Sequence, residues 1–184
     1  VFNPGEFRLT AVNDVEGDDD VKLDAGGVIV GSGVTSHIRA NVNDAIASIG
    51  DRAHINTVGD VNLETMAKGV LKIEPQVHTY GAASAGIIDG LASMHANNQV
   101  TIGVSAFIEA KGAINLLAGR DHDGNMNSIF VTAHGDELNA SAIPISSLTS
   151  HGEIVLDQTI TVGSSANLRS AKDANLLAEK DGNA

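Results

Sequence analysis

Two stretches of the chain carry oxygen ligands densely enough to hold a hard cation. Asp121-His122-Asp123-Gly124-Asn125 sets two carboxylates and an amide around a glycine turn, and the run from Asp14 to Asp20 includes Glu16, Asp18, Asp19 and Asp20. Calcium takes six to eight oxygens, so Asp121, Asp123, Asn125, Asp18, Asp19 and Asp20 are the candidate calcium ligands. The twelve-residue calcium loop ends on a bidentate Glu, and Thr132 stands at that place. The glycine-rich calcium nonapeptide is missing as well. Solvated acidic turns are the plainer reading of both stretches, and no cofactor is required.

Other chemistry finds less support. The seven histidines (His37, His54, His78, His95, His122, His134 and His151) are scattered, with no His-Glu-x-x-His pair. They read as exposed turn residues, and the Asp121–Asp123 stretch is the nearest to a cluster. A polysaccharide lyase or hydrolase would need an acid and a base facing one groove, but nothing in the spacing brings Glu64, Glu74, Glu109 and Glu153 together. No Gly-x-Ser-x-Gly elbow surrounds any serine, and there is no cysteine. Asn139-Ala140-Ser141 is a lone glycosylation triplet of the kind chance supplies. No catalytic or cofactor-binding residue is assigned, and an enzyme is not expected.

The elements that would position these loops follow from composition. In 184 residues, 42% are apolar but only 3% aromatic, with 20 glycines and no Trp. A core built from Ala, Val, Ile and Leu is therefore expected, without large rings. The net charge of −12 excludes phosphate neutralisation on nucleic acid and a polybasic membrane-surface role. No run approaches the eighteen apolar residues of a spanning helix, so membrane insertion is not expected. Val1 opens no basic-then-apolar leader, so any targeting signal is expected to lie upstream or to have been removed.

Internal repetition dominates the rest. Ile49-Gly50-Asp51-Arg52-Ala53-His54-Ile55 lies over Ile102-Gly103-Val104-Ser105-Ala106-Phe107-Ile108 and over Val162-Gly163-Ser164-Ser165-Ala166-Asn167-Leu168. The register runs on into Val61-Asn62-Leu63, Ile114-Asn115-Leu116 and Ala174-Asn175-Leu176. Gly50 to Gly103 is a step of 53 residues, and Gly103 to Gly163 a step of 60. Phe7-Arg8-Leu9 and Val21-Lys22-Leu23 look like the two halves of a degenerate further copy. Within each block small apolar residues alternate with freely varying ones, the period of a strand with one buried face. Turn formers such as Thr57-Val58-Gly59-Asp60 separate the short strands. Helix propensity is good at Leu91–Asn97 and at 171–180, but the alignment places Ala174–Ala178 on a strand and is preferred there.

These features predict an all-β chain: a right-handed parallel β-helix, or solenoid, with internal repeats of 53-60 residues, each expected to supply two or three rungs. The alternative is a β-sandwich. One repetitive unit of 1-184 is expected, with a degenerate unit 1-46 and units at about 47-99, 100-159 and 160-184, the last partial. The columns Ala-Ser-Ile-Gly, Ala-His-Ile-Asn and Gly-Asp-Val-Asn-Leu-Glu-Thr resemble the repeats of giant secreted bacterial adhesins, the filamentous-haemagglutinin-like surface proteins. The Ala/Gly-rich Tyr80–Gly90 insert is similar to their layout. The resemblance implies a β-helical shaft, export to the cell surface, and adhesion, cell–cell contact or biofilm scaffolding. Its expected partners are a glycan or protein on a host or neighbouring cell, or copies of itself end to end. Neither Val1 nor Ala184 falls at a recognisable cap, so a segment of a longer protein or a self-stacking filament subunit is expected.

Overall fold

The computed structural model describes residues 5–179, and these are all-β, with no helix. Eleven strands run in chain order: β1 (Phe7–Asp19), β2 (Lys22–Ile49), β3 (His54–Thr57), β4 (Val61–Ile73), β5 (Gln76–Ile102), β6 (Phe107–Ala110), β7 (Ile114–Ala118), β8 (Ser128–Ala133), β9 (Asp136–Val162), β10 (Asn167–Ser170) and β11 (Ala174–Ala178). They form three sheets: β1-β4-β7-β11 with β8 also on β4, β2-β5-β9, and β3-β6-β10. Every pairing between these strands is parallel.

The repeat columns become hydrogen-bonded neighbours. Ile108 lies between Ile55 and Leu168, Leu116 pairs Leu63 and Leu176, and Leu9 pairs Leu63. Partners stand one repeat unit apart, as in the 53 residues between Asn62 and Asn115 and the 60 between Asn115 and Asn175. The second unit supplies one strand to each sheet, and the third does the same except that both β7 and β8 lie on β4, so a unit stacks on the next as a single layer where two or three rungs were expected. Val21-Lys22-Leu23 is also reassigned: Lys22 and Leu23 pair Gln76 and Val77 at the start of the long sheet, so they are not half of a short-strand block.

The candidate helix Leu91–Asn97 is strand within β5, where Ala92, Met94 and Ala96 are buried and alternate with more exposed neighbours. Pairing on both sides, to β2 and β9, outweighs the local propensity. Ala174–Ala178 is strand as the alignment required; Lys180, like Val1 and Ala184, lies outside the described residues.

The long strands are folded over rather than straight. Val77 and Ile88 share one apolar cluster with Val34, yet eleven extended residues would span about 36 Å. The bend falls at 81–83, where the ladder skips a residue beside Gly27, Gly81 and Ser141 and Thr79 Oγ1 reaches Ser84 Oγ at 3.2 Å. Beyond it β5 runs back beneath β4, burying Leu71 and Ile73 against Ala92 and Met94. Next to β6 a third cluster gathers Ile49, Val61, Leu63, Ile102, Ile108, Ile114 and Leu116 from all three sheets. These are the inward columns read from the sequence, and no ring enters either cluster's buried centre.

Candidate functional site

The third layer departs from its neighbours at one place. The offset between partners rises from 53 residues at Asn62–Asn115 to 60 at Ala67–Asn127, so seven residues are surplus there. They form a loop between β7 and β8, both of which pair with the unbroken β4. Gly119 turns into it at φ +93°, where an added Cβ would also meet the Glu179 carbonyl oxygen at 2.5 Å. Its N–H donates to Thr65 O at 2.8 Å, and its carbonyl accepts from Asn127 N–H at 3.0 Å, which closes the loop at its base.

Beneath this loop lies Glu64, whose side chain is 0% exposed. It sits on the outer face of β4, opposite the inward Leu63. Its Oε2 accepts from Arg8 Nη2 at 3.0 Å, Arg8 Nε at 3.1 Å and Thr10 Oγ1 at 3.1 Å. Its Oε1 accepts from His122 Nδ1 at 2.6 Å and His122 N–H at 3.2 Å. A buried carboxylate must be paired and hydrogen-bonded to be tolerated, and this one is met from the layers on both sides. With both oxygens engaged it acts as a clamp rather than as a free base. Arg120 Nη1 continues the chain of charges to Glu179 Oε2 at 2.8 Å. A cavity of about 160 Å³ opens beside it, bordered by Asn115, Arg120, Asp121, His122 and Asn175.

The expected calcium ligands divide between two ends of the β4 sheet. Asp121 is 4% exposed, with Oδ1 accepting from Asn125 N–H at 2.8 Å and Oδ2 from Asn125 Nδ2 at 2.7 Å. Burial disfavours its charge, but the Asn125 side chain, the backbone N–H groups of Asn125 and Asp123, and the neighbouring His122 outweigh that and hold its pKa below the usual carboxylate value. Asp123 points outward and meets His122 Nε2 at 3.3 Å. Calcium at this loop would have to displace Asn125 from Asp121. Asp18, Asp19 and Asp20 stand at the far end, where β1 turns into β2. Asp19 accepts from Ser36 Oγ, and Asp18 and Asp20 lie near Lys72. The Lys72 pKa is raised, chiefly by its hydrogen bond to Glu74.

On the outer face of the same sheet Asn62, Asn115 and Asn175 form a ladder. Asn175 Nδ2 donates to Asn115 Oδ1 at 2.8 Å, Asn115 Nδ2 to Asn62 Oδ1 at 2.7 Å, and Asn62 Nδ2 to Glu6 Oε1 at 2.7 Å. Each amide passes one hydrogen bond to the next layer. The outer face of the long sheet carries a groove of about 560 Å³ with Asp44, His95, Asn97, Asp157 and Thr159 on its walls. Asp44, Asn97 and Asp157 are lateral partners. Asn97 Nδ2 donates to Asp44 Oδ1 at 3.3 Å, and His95 Nε2 meets Asp157 Oδ2 at 2.8 Å. An irregularity between Ala40 and Asn43 shapes one wall, and there Asn43 Nδ2 bonds the carbonyls of Ala40 and His95 at 2.8 and 2.9 Å.

Arg8, Glu64 and the Asp44–Asn97–Asp157 row were not singled out from the sequence as a site. Two signals pointed towards them. The step of 60 against 53 marks a surplus of seven residues, and Asp121–Asn125 falls within it. The column Asn62, Asn115, Asn175 is constant on a face otherwise read as variable.

Compared with known protein families, with curated proteins and with solved structures, the chain matches none.

Proposed function

We propose that this chain is a segment of a parallel β-helical shaft that belongs to an extracellular adhesin or surface filament of the giant secreted bacterial kind, and that it performs no catalysis. The observation that carries the reading is the register: in all three sheets, residues one repeat unit apart are parallel neighbours, with like residues stacked inward. A β-sandwich of the kind weighed from the sequence is built on antiparallel sheets. Stacked layers extend a stiff body by about 4.8 Å for each unit added. The acidic outer surface, with its net −12 charge, keeps such a body hydrated and apart from its neighbours.

The Asp44–Asn97–Asp157 groove is the best-formed contact site for that role. Its carboxylates and amide are directional hydrogen-bonding partners for a hydroxyl-rich glycan. The absence of Trp and the single Tyr make hydrogen bonding, rather than ring stacking, the means of recognition. We assign the adhesive contact to this face and its ligand to neutral surface glycans.

Two measurements test the two halves of this reading. The chain has no cysteine, so Asn62→Cys with Asn115→Cys introduces one clean pair. Adjacent strands hold Cα atoms within disulfide range, and the pair should close under mild oxidation. A pair that stays reduced while the protein is folded refutes the layered register. For the contact, a glycan panel should retain the chain and lose it on Asp44→Ala plus Asp157→Ala. Release of sugars from any polysaccharide would overturn the non-catalytic reading.

A further inference from the structure

Between the apolar cluster next to β6 and the one beneath β4 the interior is interrupted by polar side chains. Thr65 and Asn98 are both 0% exposed. Asn98 Nδ2 donates to Asn127 Oδ1 at 3.0 Å, and the same oxygen accepts from Ala67 N–H at 2.8 Å. The backbone donor fixes which end of the Asn127 amide faces β4, and that in turn fixes Asn98. Flipping Asn127 would set its Nδ2 against the Ala67 N–H, donor against donor, and flipping Asn98 would set its Oδ1 against Asn127 Oδ1, acceptor against acceptor. This orientation leaves Asn98 Oδ1 and Asn127 Nδ2 without a partner in the protein, and Thr65 Oγ1 and Gln158 Nε2 are among the other buried side-chain atoms that have none.

These atoms belong to one neighbourhood. Asn98 and Gln158 are lateral strand partners, and Asn98 touches Asn127. A Cβ built on Gly119 would lie 3.1 Å from both Asn127 Nδ2 and Gln158 Cγ. Gly119 itself is bonded to the backbone of Thr65.

We infer that these four groups form an internal binding site for a single ordered water molecule, held where the seven-residue loop leaves the third layer. The chemistry selects water over the alternatives. Asn98 Oδ1 and Thr65 Oγ1 accept, while Asn127 Nδ2 and Gln158 Nε2 donate, which matches the two donors and two acceptors of one water. A metal cation would face two N–H groups, and an anion would face the Asn98 carbonyl oxygen. An apolar ligand would leave all four unpaired and desolvated. The inference does not depend on the shaft reading, because it concerns the interior alone.

A crystal structure of the chain at about 1.5 Å, where water and amide placement can be judged, is the test. The expected result is one spherical peak at hydrogen-bonding distance from Asn98 Oδ1, Asn127 Nδ2 and Gln158 Nε2, with Thr65 Oγ1 as the fourth partner. Magnetic relaxation dispersion in solution should count one fewer long-lived internal water in Thr65→Val with Gln158→Leu than in the wild type, and an unchanged count would overturn the inference. Side chains paired directly with one another, contacts shortened to the 2.3–2.6 Å of a metal site, or an anomalous signal from chloride would each overturn it. If the double variant fails to fold, the wild-type crystal still decides the matter.

Discussion

At the scale of single residues, the alternation between buried and outward positions sets the sharpest contrast. Ile108 is 0% exposed between Ile55 and Leu168, whereas its neighbour Phe107 lies on the outer side against His54 and Arg169. Ile108→Asp should abolish folding, since it removes about 1.5–3 kcal/mol of burial and adds an unpaired buried charge. Phe107→Ser should lower stability by about 1 kcal/mol, read from urea denaturation. Equal losses would mean the strand phase is wrong. The turns supply a second case. Arg52, Ser105 and Ser165 occupy equivalent places in successive units and all have positive φ, near +57°. Such a residue is strained relative to glycine by about 1–2 kcal/mol, part of which glycine returns as unfolded-state entropy. Ser105→Gly should therefore raise stability by about 0.5–1 kcal/mol, and a drop in the urea midpoint would contradict the strain. Asp121 supplies a third. Its folded pKa lies below the ordinary 3.8, so its contribution is complete above that value and is lost as pH falls through the folded one. The stability gap between wild type and Asp121→Ala should be open at neutral pH and closed under strong acid.

At the scale of elements, the Glu64 clamp and the asparagine ladder join layers that the sequence keeps 53 to 60 residues apart. Arg8→Met leaves Glu64 buried with three of its five contacts and should cost about 1–3 kcal/mol, reduced from the fully buried range because Arg8 is 42% exposed. Adding Glu64→Leu should recover most of that loss in a thermal melt, because a well-packed apolar side chain replaces the charge. A double variant weaker than Arg8→Met alone would show the clamp to be more than a pair. The inward rows could be read from the sequence because burial repeats with period two, and one unit aligned on another becomes one strand beside another. The number of layers per unit was not legible. Alignment fixes which residues match, but not how far a strand runs before it bends at Gly81. Arg8, Glu64 and His122 were equally hidden, since each belongs to a different layer and only stacking brings them together. Helix propensity misled at Leu91–Asn97 because β2 and β9 flank β5 on both sides, a constraint that the local sequence does not carry.

At the scale of the whole molecule, neighbouring layers share almost all contacts, so stability should behave as a sum of layers and interfaces. β4, β5 and β6 are covered on both sides, and most fully buried side chains belong to them. Their amides should exchange most slowly with deuterium, with those of β2, β9 and β10 faster. Leu168→Asp should release β10 while the β3–β6 pairing stays protected, whereas a lesion at Ile108 should release all three sheets. The stapled loop has a consequence for how such a chain diversifies. Its two ends are tied together by the Gly119–Asn127 hydrogen bond, and the ladder resumes at Lys68–Ser128 in the register it left. The strands therefore do not sense the length of what is inserted there. In the shaft proposed above such a loop is an open socket: residues inserted after His122, which holds Glu64, and before Asn127 would become new surface without new architecture.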